Sequence, residues 1–245
     1  MSNEKKVAFI TGGNRGIGLQ TALELGKLGV EIVIGARDPN KAEAAVKSLR
    51  QAGITVAAIP YDAQRADTDK SVFAHLEKRY GKLDILINNA GALKEPMAGN
   101  DSSSLSVDLL RETFETNFFA VVRLTQTLLP LMKKAPAGRI VNLSSILGSL
   151  TVHSQKNSPI ASTKALAYNA SKTALNAFTV HLAAELAGTT IKVNSAHPGW
   201  VKTELGGEHA PMEIGDSART SVRLALLGPD GPNGGFFHVD DALPW

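Results

Sequence analysis

The sequence predicts an α/β fold: a single-domain, doubly wound parallel sheet of about seven strands, helices on both faces, over residues 1–245. Three observations predict it. Short β-branched runs alternate with longer helical patterns, which implies right-handed crossovers and a parallel sheet covered on both sides. Segments such as Ile85-Leu86-Ile87 are apolar throughout, as doubly buried parallel strands are. No internal repeat, low-complexity tract or Pro/Ser-rich linker divides the chain, and 43% hydrophobic residues can fill one core.

The strands fall at residues 6–11, 31–36, 55–61, 83–88, 139–143, 191–196 and 235–239. Helical stretches fall at 18–28, 40–52, 67–80, 106–134, 163–187 and 217–227. In such a sheet a ligand lies beyond the carboxyl ends of the strands, at a topological switch point. The strand ends are therefore where chemistry is sought.

The first strand ends in Thr11-Gly12-Gly13-Asn14-Arg15-Gly16-Ile17-Gly18, and a helix follows. Glycines permit a tight turn and close approach to a pyrophosphate, and the helix N-terminus offers N–H groups and a positive dipole end. This reads as a dinucleotide site; the plain alternative is a turn using glycine for geometry. The second strand ends Gly35-Ala36-Arg37-Asp38. NAD sites place an acid here for the ribose 2′-hydroxyl. Ala36 stands in its place and Arg37 follows. Arg37 and Arg15 can fork onto a 2′-phosphate, which points to NADP(H). Against this, Arg37 can simply cap a loop, and Asp38 is a nearby acid.

The third strand ends at Asp62, whose plain role is a helix cap. The fourth ends Asn88-Asn89-Ala90-Gly91, where the small Ala-Gly pair lets backbone approach the cofactor ribose. Asn117 lies in the long helical stretch, where a polar residue satisfying a kink is the plain reading. The fifth strand ends in Ser144-Ser145. The sixth ends in Pro198-Gly199-Trp200-Val201-Lys202-Thr203, with Lys202 read as a solvated charge.

Tyr168 and Lys172 are four apart on a helix and share one face. An ammonium beside a phenol favours the phenolate and draws its pKa from about 10 toward neutral, making a usable acid/base.

With these motifs in this order, the chain from Lys6 to at least Thr203 resembles the short-chain dehydrogenase/reductase family, and more finely its NADPH-dependent carbonyl reductase branch. The glycine spacing T-G-x-x-x-G-x-G matches that family's variant of the Rossmann turn. The resemblance implies four catalytic residues: Asn117, Ser145, Tyr168 and Lys172. Tyr168 would give the proton, Ser145 would bond the substrate carbonyl, and Lys172 would hold the ribose and lower the Tyr168 pKa. Asn117 would hold a water relaying protons toward the lysine, and Ser144 would be structural. It also implies cofactor contacts from Gly12, Asn14, Arg15, Gly16, Ile17, Gly18, Arg37, Asp62 (on the adenine), Asn89, Ala90, Gly91, Tyr168, Lys172, Pro198, Gly199, Val201 and Thr203. A basic residue at Arg15 or Arg37 accompanies NADP in that family. The expected activity is hydride transfer from NADPH to a ketone or aldehyde. The alternatives are alcohol oxidation on the same site, or an NADP-sensing protein without turnover, which would be expected to have lost part of the four-residue set.

Composition narrows the partners. The net charge of +3 is interspersed and aromatics are 5%, unlike a nucleic-acid surface. The apolar run 7–10 is too short for a signal or membrane segment. There is no cysteine, which fits a reducing, cytoplasmic setting and excludes thiolate metal sites. His181 and His197 lack partners at metal-ligand spacing and read as structural, so no metal is expected. No G-x-S-x-G hydrolase motif occurs. The expected partner is a small carbonyl or alcohol substrate. Ser145 and Tyr168 are 23 residues apart, a longer spacing than the family usually shows. The surplus, within 150–166, reads as a loop walling the substrate site. It also leaves both a homo-oligomer and a monomer open, by covering the helix face on which relatives pair.

Overall fold

The computed structural model describes residues 5–96 and 101–245. Its strands are β1 (Val7–Thr11), β2 (Glu31–Ala36), β3 (Val56–Pro60), β4 (Ile85–Asn88), β5 (Arg139–Leu143), β6 (Lys192–Ala196), β7 (Phe236–His238) and β8 (Asp241–Ala242). They form one sheet in the order β3-β2-β1-β4-β5-β6-β7-β8. All pairings are parallel except β7 with β8. The order reverses between β1 and β4, so the switch point lies between Thr11 and Asn88.

The helices are α1 (Gly16–Lys27), α2 (Pro39–Gln51), α3 (Ala66–Tyr80), α4 (Val107–Phe114), α5 (Ala120–Met132), α6 (Leu150–His153), α7 (Leu166–Glu185) and α8 (Arg219–Ala225). Side chains alternate across each strand. Val7, Phe9, Leu86, Ile140 and Val193 pack on one face with Leu76, Leu124, Leu128 and Leu182 from α3, α5 and α7. Ala8, Ile10, Ile32, Ile34, Ile85 and Val141 pack on the other with Leu25, Leu49 and Leu224 from α1, α2 and α8. Each such fully buried aliphatic contributes about 1.5–3 kcal/mol.

Three features depart from the sequence expectation. The sheet has an eighth strand, two residues long, made when the chain reverses through Val239 at φ 51°. A two-residue strand is too short to leave an alternation pattern. The single helix expected at 106–134 is α4 and α5 joined by a π turn, Glu115–Phe119, which absorbs an extra residue. The helix expected from 163 begins at Leu166, because residues 158–163 close a series of turns (Ala161 N–H to Ser158 O, Thr163 N–H to Ile160 O).

Two polar devices hold the sheet ends in place. Asn88 Nδ2 donates to Thr125 Oγ1 (3.1 Å) and Asn142 Oδ1 (2.8 Å). Asn142 Nδ2 donates to Thr179 Oγ1 (2.9 Å), which lies 2.8 Å from Ser195 Oγ. The chain of buried bonds ties β4, β5 and β6 to α5 and α7, although Asn88 Oδ1 has no partner among the described residues. At the opposite end of β5, the buried Arg139 guanidinium donates to the carbonyls of Leu227 (2.7 Å), Gly138 (2.6 Å) and Thr190 (3.0 Å).

Candidate active site

The glycine turn is built for close approach. Gly12 (φ 64°) and Gly16 (φ 54°) adopt the left-handed backbone that side chains resist. Gly12 and Gly13 both donate to the Gly35 carbonyl. A Cβ on Gly18 would lie 2.5 Å from both Asn89 Nδ2 and the Gly12 carbonyl. Asn89 locks the turn: its Nδ2 donates to the Thr11 carbonyl at 2.7 Å. Thr11 Oγ1 accepts from the N–H groups of Asn89 (3.0 Å) and Ala90 (2.9 Å). The expected neighbours of the switch point are thus brought together. Asn14 is half buried, and Ile17 packs into the core beside α1. The N-terminus of α1 has no side-chain cap, so its N–H groups and dipole fit an anionic phosphate group.

Beside it, Arg37 is exposed at the end of β2. Asp38, the acid that weakened the case for a 2′-phosphate, is engaged elsewhere: its Oδ1 accepts from Asn40 and Lys41 N–H as the cap of α2. Arg15 is ion-paired with Glu204, on the loop after β6. Asp62 Oδ1 accepts from the Gln64 N–H at 3.1 Å, a turn bond and not the helix cap of its plain sequence reading, because α3 starts after Arg65 with no side-chain cap.

That loop crosses the mouth of the turn. The Thr203 methyl would sit 3.8 Å from a Cβ on Gly16. Pro198 and Val201 are buried, and Gly199 takes φ 91° with Met212 against it. Thr203 Oγ1 accepts from Gly206 N–H at 3.0 Å, and Lys202 pairs with Glu213.

At the reacting end, Ser145, Tyr168 and Lys172 are all buried. The Lys172 ammonium donates to the Leu143 carbonyl at 2.7 Å and lies 5.6 Å from the centre of the Tyr168 ring. Gly91 is the neighbour of both Asn117 Oδ1 and Lys172 Nζ, 3.4 and 3.5 Å from where its Cβ would be. Asn117 lies within the π turn, fully buried. It exchanges two bonds with the Ala92 backbone (2.8 and 2.9 Å) and donates to Ser171 Oγ at 3.0 Å. These bonds tie the π turn to the loop after β4 and to α7 and do not reach the turn's own backbone.

One electrostatic expectation is overturned. Burial pushes the Tyr168 phenol up to about 12, and the neighbouring Ser145 hydroxyl pulls the other way. Burial pushes Lys172 down to about 8. Desolvation disfavours both charged forms and sets the direction of both shifts.

His197 is structural, as expected: its Nδ1 accepts from Ile146 N–H at 3.3 Å, and burial pushes its imidazole down to about 3. Its ring lies 5.1 Å from that of His238, whose Nδ1–H donates to the His197 carbonyl. The long segment before Tyr168 is anchored. Ser149 Oγ and Thr151 N–H donate to the Trp245 carbonyl (3.1 and 2.8 Å), and His153 Nε2 donates to the Leu147 carbonyl. Trp245 stacks on Phe236 at 5.6 Å.

Two residues escaped sequence reading. Glu204 carries no motif, and its partner Arg15 is 189 positions away. Glu95 is buried and accepts the Tyr168 N–H at 2.8 Å, yet in sequence it is one charge in a polar loop. Neither has a local signal that could have found it.

Residues 6–214 match the family described as short chain dehydrogenase. Human carbonyl reductase [NADPH] 1 is 32% identical, with all of both chains covered. The solved NADPH-bound carbonyl reductase from chicken fatty liver superposes with a TM-score of 0.85 at 27% identity, covering 99% of this chain and 100% of that one. Salutaridine reductase from Papaver somniferum gives a TM-score of 0.83 at 28% identity over 97% and 100%.

Proposed function

The chain belongs to the short chain dehydrogenase family and is an oxidoreductase, and we propose from that premise that it reduces a ketone or aldehyde carbonyl with NADPH. The observation that carries this reading is the buried cluster of Ser145, Tyr168 and Lys172, with the Lys172 ammonium 5.6 Å from the centre of the phenol ring. The names of the relatives, carbonyl reductases that use NADPH, support it.

The uncapped N-terminus of α1, Gly12, Gly16 and Ala90 would hold the pyrophosphate and ribose, and Arg15 and Arg37 the 2′-phosphate. When bound, NADPH supplies the hydride. The work of the chain is at the substrate oxygen. Ser145 and Tyr168 hold that oxygen between two hydroxyls, and Tyr168 gives it a proton as negative charge develops. The phenol is protonated at neutral pH, as an ordinary phenol is, and burial, which raises it to about 12, makes it a weaker acid until negative charge develops on the substrate oxygen. Lys172, whose ammonium lies 5.6 Å from the centre of the phenol ring, would hold the ribose and favour release of the Tyr168 proton.

The test is nicotinamide absorbance with a panel of ketones and aldehydes. Tyr168→Phe should keep cofactor binding and lose at least about 10²-fold in turnover. Near-normal turnover in that variant would end the assignment of Tyr168 as donor.

A further inference from the structure

The loop after β4 touches three elements within four residues. Ala92 exchanges backbone bonds with Asn117 in the π turn. Lys94 pairs with Glu112 of α4 at 2.6 Å. Glu95 accepts the N–H of Tyr168 at 2.8 Å, 73 positions along the chain. Tyr168 is the third residue of α7, so this N–H is one of the four that a helix cannot satisfy internally. The residue that should cap α7 is Ala165, which has no side-chain acceptor. Glu95 therefore supplies the missing cap from another element. It is 5% exposed, and its second oxygen has no partner among the described residues, an uncompensated burial. Such groups are rare and call for a role.

We propose that Glu95 is a positioning residue for the proton donor: it fixes the Tyr168 backbone against the loop that also holds Asn117. The proposal rests on the reading of Tyr168 as donor. The physical reason is geometric. The phenol is carried by the Cα bonded to the nitrogen that Glu95 holds, and proton transfer is sensitive to displacements on the order of 1 Å. Because one Glu95 oxygen is unused, the amide oxygen of glutamine can replace the bond, whereas aspartate keeps the charge but is too short to reach.

The experiment compares Glu95→Gln, Glu95→Asp and Glu95→Ala in the full chain, with Tyr168→Phe alongside. Amide hydrogen exchange of residues 166–171 reads the cap without reference to activity. It should quicken in the alanine and aspartate variants and stay unchanged in the glutamine variant. With NADPH and a reduced ketone, kcat should fall about tenfold or more in the alanine and aspartate variants, and the KM for NADPH should stay within about twofold. Glutamine should restore kcat. Alanine with unchanged kcat, or glutamine as damaged as alanine, overturns the proposal. If alanine does not fold, the glutamine–aspartate contrast decides alone, and retained kcat in the aspartate variant overturns it. Undiminished turnover in Tyr168→Phe would instead remove the reading on which the proposal rests, and the exchange result would still stand.

Discussion

Lys172 Nζ lies over the face of the Tyr168 ring, 5.6 Å from its centre, and gives its hydrogen bond to the Leu143 carbonyl. The charge is thus near the phenol but engaged with backbone, in a site where burial raises the acid and lowers the base.

The pair makes stability pH-dependent in two windows of opposite sign. Lys172 titrates near 8 when folded and near 10.5 otherwise, so the unfolded chain binds the extra proton between these values. Stability should therefore rise with pH across that window, relative to Lys172→Met. Tyr168 keeps its proton to about 12 when folded but only to about 10 when not, so stability should fall above pH 10, and Tyr168→Phe should lack that fall. Thermal melts of the three proteins between pH 7 and about 11 check both signs. Parallel curves for unmodified protein and Lys172→Met would contradict the buried ammonium.

Cofactor choice should depend on both arginines and on the acid facing one of them. Arg37→Asp should narrow or reverse a preference for NADPH over NADH, a change of about tenfold or more. Glu204 competes for Arg15, but both side chains are exposed. Glu204→Gln should tighten NADPH only about two- to fivefold, and less at high salt. Calorimetric titration with each dinucleotide measures both effects, and equal affinity for the two in unmodified protein would refute the arginine argument.

Arg139→Met should destabilise the fold without touching the site. It removes a donor from three carbonyls around the start of β5, of which only that of Gly138 is fully buried, and should cost about 1–3 kcal/mol. A lower urea midpoint at unchanged slope is the expected result, with KM for NADPH as before.

Residues 155–162 lie between the anchored α6 and α7. Removing them should alter the ratio of kcat/KM for small and bulky ketones by about tenfold, if this stretch walls the substrate site. An unchanged ratio would make it a surface elaboration.

Much of the fold was legible because its signals are local. β2 and β5 begin and end where the β-branched runs do, and Gly12 through Gly18 form the turn their spacing announced. Asn88, Asn89 and the Tyr168–Lys172 pair were also visible, each tied to a strand end or a helix face. Three things were not. The phenol pKa depends on burial, which spacing along one helix does not report. The Glu95 and Glu204 contacts join positions 73 and 189 apart. The π turn differs from an α-helix by one residue of winding, and no composition marks it.

That winding has a directional consequence. Successive residues of an α-helix step about 100° around the axis, so one inserted residue rotates everything beyond it by about that much. Before Glu115–Phe119 the rod turns its inner face to α7; after it, to α3. The turn acts as a gear offset between two contacts that a straight helix could not satisfy together. Deleting one residue there would restore the regular ladder while swinging Leu124 and Leu128 out of the core. The shortened helix would keep its hydrogen bonds and lose its partner.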